Sequence, residues 1–175
     1  MRMYVPGENG DVGLLHWYAN LVSADDLHKL LGPSLWPMAA FMEHFRHADA
    51  LWVLEDAQGW KAVAWTYPMI SGGTWGLWVR PNGRQSRETL EFIMTTLDLA
   101  TQTYPVLVNT TKQPDVVAKT ERLGYTYLGK VPYLFEGEDC FILYMTRAMF
   151  EPILERWRAH GTSRGTGKNL ATARV

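Results

Sequence analysis

The sequence predicts one mixed α/β domain, in which a mixed sheet carries helices on its faces. The apolar pattern changes to a period of two in the segments 50–54, 60–67 and 74–79, which is the period of a half-buried strand, and residues 125–135 with 140–146 predict a last hairpin. Between these segments, residues 86–104 repeat their apolar positions every three to four residues, which is the period of an amphipathic helix. The alternation of the two periods along one chain is typical of an α+β arrangement.

Length and composition fit a single globular domain. The chain has 175 residues, of which 47% are hydrophobic and 20% charged, so it is long enough to bury a core. No apolar run approaches the roughly 18 to 20 residues that cross a bilayer, and the N-terminus lacks the apolar core of a signal peptide. We therefore expect no membrane insertion. Since the single Cys140 cannot form an internal disulfide, we expect a reducing, cytoplasmic setting.

The charge of the chain is unevenly distributed. The net charge is −1, yet residues 156–175 contain arginines and a lysine but no acidic residue, so they carry about +5. We therefore expect a domain over residues 1–158 and a basic, flexible tail over residues 159–175. The tail is a candidate for contact with a protein or a nucleic acid. The sequence leaves open whether the chain forms a homo-oligomer.

The first elements are a strand and two helices. Residues 12–18 are a short apolar run that predicts the first strand. Ser23 begins a capping-box pattern, which predicts a short helix that ends at Gly32. Residues 35–48 place their large apolar side chains on one face, which predicts the second helix.

Three antiparallel strands follow. Residues 50–54 and 60–67 predict the first two of them, and the polar segment 55–59 between them predicts a hairpin connection. Residues 74–79 predict a third strand, after a turn at Ser71-Gly72-Gly73.

The remaining elements complete the order β, α, α, β, β, β, α, β, α, β, β and one further helix. Pro114 suits a first helical position, and Gly124 suits the end of that helix. The predicted elements are a helix over 86–104, a strand over 105–109, a helix over 116–123, a hairpin of 125–135 with 140–146, and a helix over 150–158 with Pro152 in its first turn.

Two segments resemble one known family. Residues 77–89, Leu-Trp-Val-Arg-Pro-Asn-Gly-Arg-Gln-Ser-Arg-Glu-Thr, resemble the V-x-P-x-x-R-G-x-G-x-G segment of the Gcn5-related N-acetyltransferases (GNAT), which lies between a strand and a long helix. Asn109, Ala118 and Leu123-Gly124-Tyr125 are similar to the N…A…Y-x-x-x-G-[FY] stretch of the same family. The resemblance covers roughly residues 10–147.

The resemblance implies an N-acetyltransferase that transfers the acetyl group of acetyl-CoA to an amine of a small molecule or a protein. In the family, the pantetheine arm lies between two strands that part, and the pyrophosphate meets backbone N–H groups at a helix start, where the helix dipole favours an anion. By analogy, the arm would contact Leu77, Trp78 and Val79, with Asn109 near the cofactor. The pyrophosphate would contact Arg84, Gln85, Ser86, Arg87, Glu88 and Thr89.

The chain departs from the family in its glycine loop and in its catalytic groups. Gln85, Arg87 and Thr89 stand where the family has glycines that let the backbone approach the phosphates. Arg87 can either pair with a phosphate or fill its place. Thr120 stands where the family has a tyrosine that protonates the leaving thiolate.

No general base is evident from the sequence. The predicted strand over residues 74–79 contains no carboxylate. Glu55, Asp56 and His16 are the candidates, each acting through a water molecule, although each fits a surface or loop residue as well.

Two other groups of residues, a histidine-containing cluster and the tryptophans, are given structural roles. Glu43, His44 and His47 do not complete an H-E-x-x-H pattern, so we expect no metal. Tryptophans are frequent on the three central strands, and alternation places Trp75 and Trp78 on opposite faces. Core packing explains most of them, while one facing an acceptor groove would favour an apolar or aromatic substrate.

A second hypothesis comes from another class of protein. Short-tailed bacteriophages encode small GNAT-like proteins with similarly altered glycine loops, and some of these are internal virion proteins. The chain resembles them in its layout, and its basic tail would then be a contact arm. Under this hypothesis the protein has lost catalysis and has a binding or structural role. It would be located in the host cytoplasm or in the virion.

Overall fold

The computed structural model describes residues 1–4, 41–42, 45–80, 86–135 and 138–162. The predicted strand over 12–18, the predicted helix after Ser23 and most of the helix predicted over 35–48 lie outside the described residues, as do Glu43, His44 and residues 163–175. Phe41 and Phe45, which belong to that second helix, are helical.

The described strands form one seven-stranded mixed sheet in the order β1-β2-β3-β4-β5-β7-β6. Neighbouring strands are antiparallel except β4 and β5, which are parallel. The strands are β1 (Arg2–Tyr4), β2 (Ala50–Asp56), β3 (Gly59–Met69), β4 (Gly72–Val79), β5 (Val106–Thr111), β6 (Thr126–Phe135) and β7 (Glu138–Thr146).

Three helices have described bounds: α1 (Arg87–Thr103), α2 (Pro114–Glu121) and α3 (Arg147–Thr162). The longest predicted helix is confirmed as α1. Ser86 caps it by accepting a hydrogen bond from the Thr89 N–H at 3.1 Å. The helix ends at Tyr104 because Pro105 follows, and a residue before proline avoids the helical region. Tyr104 accordingly has extended backbone angles, φ −116° and ψ 130°.

The mixed sheet and the order of its central elements are confirmed. The predicted helix after Pro114 is also confirmed, and Gly124 follows it with φ 102°, a conformation that favours glycine. The strand β1 was not predicted, because three residues are too few to show an apolar period.

The sequence prediction was wrong at the boundaries of two elements. Gly72 and Gly73 belong to β4 rather than to the preceding turn. The last helix begins at Arg147 rather than Phe150, so Pro152 lies inside it and not in its first turn. This helix continues through residues 159–162, which the sequence assigns to the tail.

Two apolar clusters cover the two faces of β2, β3 and β4. One cluster places Trp75 and Leu107 beneath Phe92 and Leu97 of α1. The other places Val63 and Trp78 against Phe41 and Phe45. Trp75 and Trp78 therefore lie on opposite faces, as alternation predicts. Each of five tryptophans is buried in one of the two clusters: Trp52, Trp60, Trp65, Trp75 and Trp78.

Candidate functional site

The boundary between β4 and β5 is open over most of its length. These strands form one ladder pair, Gly73 with Leu107. On its other edge, β4 pairs with β3 along its whole length, from Val79 opposite Ala62 to Gly72 opposite Met69. Since β4 and β5 meet at one end and part toward the other, a gap opens beside the C-terminal half of β4.

Two glycines let the strands meet at the closed end of this gap. A Cβ on Gly72 would collide with the carbonyl oxygen of Val106 in β5. A Cβ on Gly73 would lie 2.6 Å from the ring of Tyr104, far inside van der Waals contact. Glycine is therefore required at the junction, and the Gly-Gly pair serves the contact with β5 rather than a turn.

The side chain of Asn109 bridges the gap immediately beyond the last ladder pair. Its Oδ1 accepts a hydrogen bond from the Trp75 N–H at 3.1 Å, and its Nδ2 donates to the Trp75 carbonyl oxygen. The carboxamide thus makes the two bonds to Trp75 that a neighbouring strand would otherwise make. The sequence predicts Asn109 near the cofactor, and the structure places it in the gap, bonded to β4.

The backbone of Leu77 and Val79 faces the open part of the gap. In an antiparallel pair, successive residues direct their N–H and C=O groups to opposite edges. The Trp75 N–H points toward β5, whereas the Arg80 N–H donates to the Lys61 carbonyl in β3 at 2.9 Å. Leu77 and Val79 share the orientation of Trp75, and neither belongs to a ladder pair with β5. Trp78, the third predicted residue, instead buries its side chain in the cluster with Phe41.

The start of α1 lies beyond the open end of β4, after residues 81–85. Arg84 and Gln85 are outside the described residues. Ser86 and Thr89 are used by the helix cap, and Thr89 is buried. Glu88 pairs with Lys61 of β3 at 2.7 Å. The sequence prediction missed Lys61, although a lysine between Trp60 and Ala62 in an apolar strand is a signal of a buried charge.

The carboxylates predicted as bases lie at the same end as α1. Asp56 forms an ion pair with Arg80, and Gln58 donates its N–H to Asp56 at 2.8 Å. The hydrogen bond from Gln58, together with Arg80, lowers the pKa of Asp56. Glu55 is next to it at the end of β2, and His16 lies outside the described residues. A carboxylate with a lowered pKa is a weak proton acceptor.

Another carboxylate lies at the closed end of the gap. Asp49 accepts hydrogen bonds from the hydroxyls of Thr66 and Tyr104. Burial, with the Asp49 contact, raises the pKa of the Tyr104 phenol. Thr66 is the ladder partner of Trp75, so this group lies level with the Asn109 bridge. The sequence prediction missed it, since Asp49 and Tyr104 are 55 positions apart.

Thr120, at the position of the family's tyrosine, is used inside α2. Its hydroxyl donates to the Val116 carbonyl at 2.7 Å.

None of the helices in the described part of the chain has the length and apolar character to cross a membrane.

This architecture, a mixed sheet with a parallel pair of strands that parts beside a helix start, is the GNAT fold. No family model matches the sequence, and no curated protein matches it. The likeness is found among solved structures.

Three solved acetyltransferase structures illustrate this likeness. Mutant forms of the spermidine/spermine N-acetyltransferase SpeG from Vibrio cholerae align with a TM-score of 0.59 at 14% identity, covering 87% of this chain and 98% of theirs. A probable GNAT-family acetyltransferase from Chromobacterium violaceum aligns at 0.61 and 15%, covering 82% and 80%. The ribosomal-protein-S18-alanine N-acetyltransferase from Escherichia coli aligns at 0.53 and 15%, covering 82% and 92%.

Proposed function

We propose that the protein is an N-acetyltransferase that binds acetyl-CoA in the gap between β4 and β5 and transfers the acetyl group to an amine. The observation that carries the proposal is the single ladder pair between these strands, which leaves a gap that opens toward the capped start of α1. If the strands were bonded along their length, no backbone would face a ligand there.

The described residues fit the arm of acetyl-CoA. An arm with amide groups needs donors and acceptors along its length, and the backbone of Leu77 and Val79 supplies both on the β4 side of the gap. The phosphates need positive potential, which the N–H groups at the start of α1 supply; the Lys61 ammonium lies beside the first turn, paired with Glu88. The predicted contacts of the pyrophosphate stay Arg84, Gln85, Ser86, Arg87, Glu88 and Thr89.

The proposed reaction is a direct transfer. The nitrogen lone pair of the neutral amine forms a bond to the thioester carbonyl carbon, the carbon–sulfur bond breaks, and the sulfur leaves as a thiolate. The nitrogen loses one proton to a base. A thiol has a pKa of about 8.5, so the sulfur can leave near neutral pH without the family's tyrosine, which is Thr120 here.

Asp49 is better placed than Asp56 to accept that proton. Asp49 lies level with Trp75 at the closed end, far from the phosphates, whereas Asp56 lies beyond Val79 at the phosphate end. The two hydroxyls on Asp49 hold its carboxylate in one orientation. We therefore add Asp49 to the candidate bases Glu55, Asp56 and His16, which stay predictions.

The acceptor is proposed to be an amine of a small molecule or a protein. SpeG, with which the fold aligns, is a spermidine/spermine N-acetyltransferase. Acetyl-CoA as donor and the buried thiol of Cys140 support a cytoplasmic setting.

Thermal unfolding with acetyl-CoA tests the proposal without knowledge of the acceptor. A ligand at about 100 times its dissociation constant stabilises the folded state by roughly 2.7 kcal/mol, so we expect a clear rise in Tm. No rise at millimolar acetyl-CoA would contradict the proposal and would favour the non-catalytic hypothesis.

Two variants of Leu77 locate the binding site. Leu77→Pro removes an N–H that faces the gap and makes no bond to β3, while Leu77→Ala shortens the side chain and keeps the N–H. We expect Leu77→Pro to lose most of the Tm rise and Leu77→Ala to keep it. An equal rise in both variants would place acetyl-CoA elsewhere.

A third variant determines the role of Arg87, which the sequence leaves open. Weaker binding of acetyl-CoA by Arg87→Gly means that the guanidinium pairs with a phosphate. Tighter binding means that the side chain obstructs the pyrophosphate.

A further inference from the structure

The carboxamide of Asn109 occupies the place where the gap between β4 and β5 closes. Its two hydrogen bonds to Trp75 extend the junction one step beyond the ladder pair of Gly73 with Leu107. Both partners of this bridge belong to regular strands. Trp75 is 4% exposed, and Asn109 lies in the middle of β5 between Val108 and Thr110. The bridge is therefore a fixed end to the gap.

The bridge also uses the first backbone groups that would otherwise face the gap. Both the N–H and the C=O of Trp75 are bonded to Asn109, so the next groups of the same orientation belong to Leu77. Two residues of a strand span roughly 6.6 Å. The length between the Leu77 backbone and the bridge is thus about that of a small acyl group, and it ends at a polar amide.

We infer that Asn109 limits the length of the acyl group that the gap accepts. The inference rests on the proposed function, because it assumes that the phosphates lie at the start of α1. The acyl group is the end of the donor that is farthest from the phosphates, so it points toward the closed end of the gap. An acetyl group fits in front of the bridge, whereas a longer chain meets the carboxamide and Trp75.

Loss of the bridge removes this limit. In Asn109→Ala the gap lengthens toward the ladder pair of Gly73 with Leu107, and the space vacated by the carboxamide takes additional methylene groups. Asn109→Ser is a second variant, which keeps a polar group on a side chain that is one bond shorter than the carboxamide. Thr110→Ala is the matched control, because Thr110 is the neighbouring residue in β5, is exposed, and makes no bond to β4.

The experiment measures the dissociation constants of acetyl-CoA, butyryl-CoA and hexanoyl-CoA for the full chain and the three variants. We expect the unmodified chain and Thr110→Ala to bind acetyl-CoA at least tenfold more tightly than hexanoyl-CoA. Asn109→Ala and Asn109→Ser should reduce this ratio at least fivefold, by binding hexanoyl-CoA more tightly in absolute terms. A purely structural role would weaken all three ligands equally and leave the ratio unchanged.

Two results would overturn the inference, and they differ from each other. If the unmodified chain binds acetyl-CoA but the ratio is the same in all variants, Asn109 does not limit the acyl group, and the proposed function stands. If the unmodified chain binds none of the three thioesters, the proposed function fails as well. Circular dichroism melting of each variant shows that it is folded at the temperature of the measurement.

Discussion

The two edges of β4 are built differently. Toward β3, the strand is bonded along its whole length, and the residues of β3 from Trp60 to Thr66 are all buried. Toward β5, it is bonded at Gly73 and bridged by one side chain, and Leu107 is the buried residue of β5. The same strand therefore belongs to a closed sheet on one side and borders a gap on the other.

This difference shows that the gap is stabilised at specific points. Apolar packing on both faces stabilises the closed edge, so the loss of one contact there is shared among many neighbours. The open edge depends on the close approach at Gly72 and Gly73 and on the Asn109 bridge. A separate contact through Asp98 joins the helices α1 and α3. Each of these contacts can be removed alone.

The largest effect is expected from Gly72→Ala. The added Cβ meets the backbone carbonyl of Val106, which cannot rotate away, so β4 and β5 must separate at their one junction. We expect a loss of about 3 kcal/mol in the free energy of unfolding, measured by urea denaturation. Ser71→Ala, at the exposed preceding residue, is the control and should change stability by less than about 0.5 kcal/mol. An equally stable Gly72→Ala would show that the junction is not rigid.

The sequence predicts the closed edge better than the open one. The strands from Ala50 to Val79 and the helix α1 show their periods in consecutive residues, so local pattern is sufficient. The pairing of β4 with β5 depends on residues more than 30 positions apart, such as Gly73 with Leu107. The gap was therefore expected from a family resemblance and not from apolar periodicity.

The site contacts that the sequence does not predict join residues far apart in the chain. Leu77 and Val79 are predicted as site residues from the strand–turn–helix segment that resembles the family, and Asn109 is predicted from the second such segment. The bond of Asn109 to Trp75 and the contact of Tyr104 with Asp49 depend on how distant elements pack. No local spacing in the sequence encodes such contacts.

A smaller effect is expected from Asp98→Ala. Asp98 of α1 accepts hydrogen bonds from Arg147 and from Arg158 of α3, so it joins the helix beneath β4 to the helix that follows β7. Its side chain is 15% exposed, and the variant leaves two guanidinium groups without this partner. We expect a loss of about 2 kcal/mol in the free energy of unfolding. Asp115→Ala removes an exposed ion pair with Lys119 and is the control, with little expected change.

The Asp98 tie also has a pH dependence with a defined sign. Partial burial raises the pKa of Asp98, but the hydrogen bonds from Arg147 and Gln102 and the charges of both arginines outweigh burial, so the pKa lies below its ordinary value. A lowered pKa in the folded state contributes stability above the unfolded pKa of about 3.9, and this contribution is lost as the pH falls through the folded value. The difference between the unmodified chain and Asp98→Ala should therefore shrink in acid. A constant difference from pH 7 to pH 2 would contradict the charge-based explanation.

The smallest effect concerns the open end, where Glu88 neutralises Lys61 at the start of α1. Glu88→Gln leaves the ammonium uncompensated beside the place proposed for the pyrophosphate, so acetyl-CoA should bind about three- to fivefold more tightly, as expected for one exposed charge. The gain should disappear near 1 M salt, where the screening length is about 3 Å. Glu91→Gln, one position past the first turn and also exposed, should leave affinity nearly unchanged. Equal affinity in both variants at low salt would place the phosphates away from Lys61.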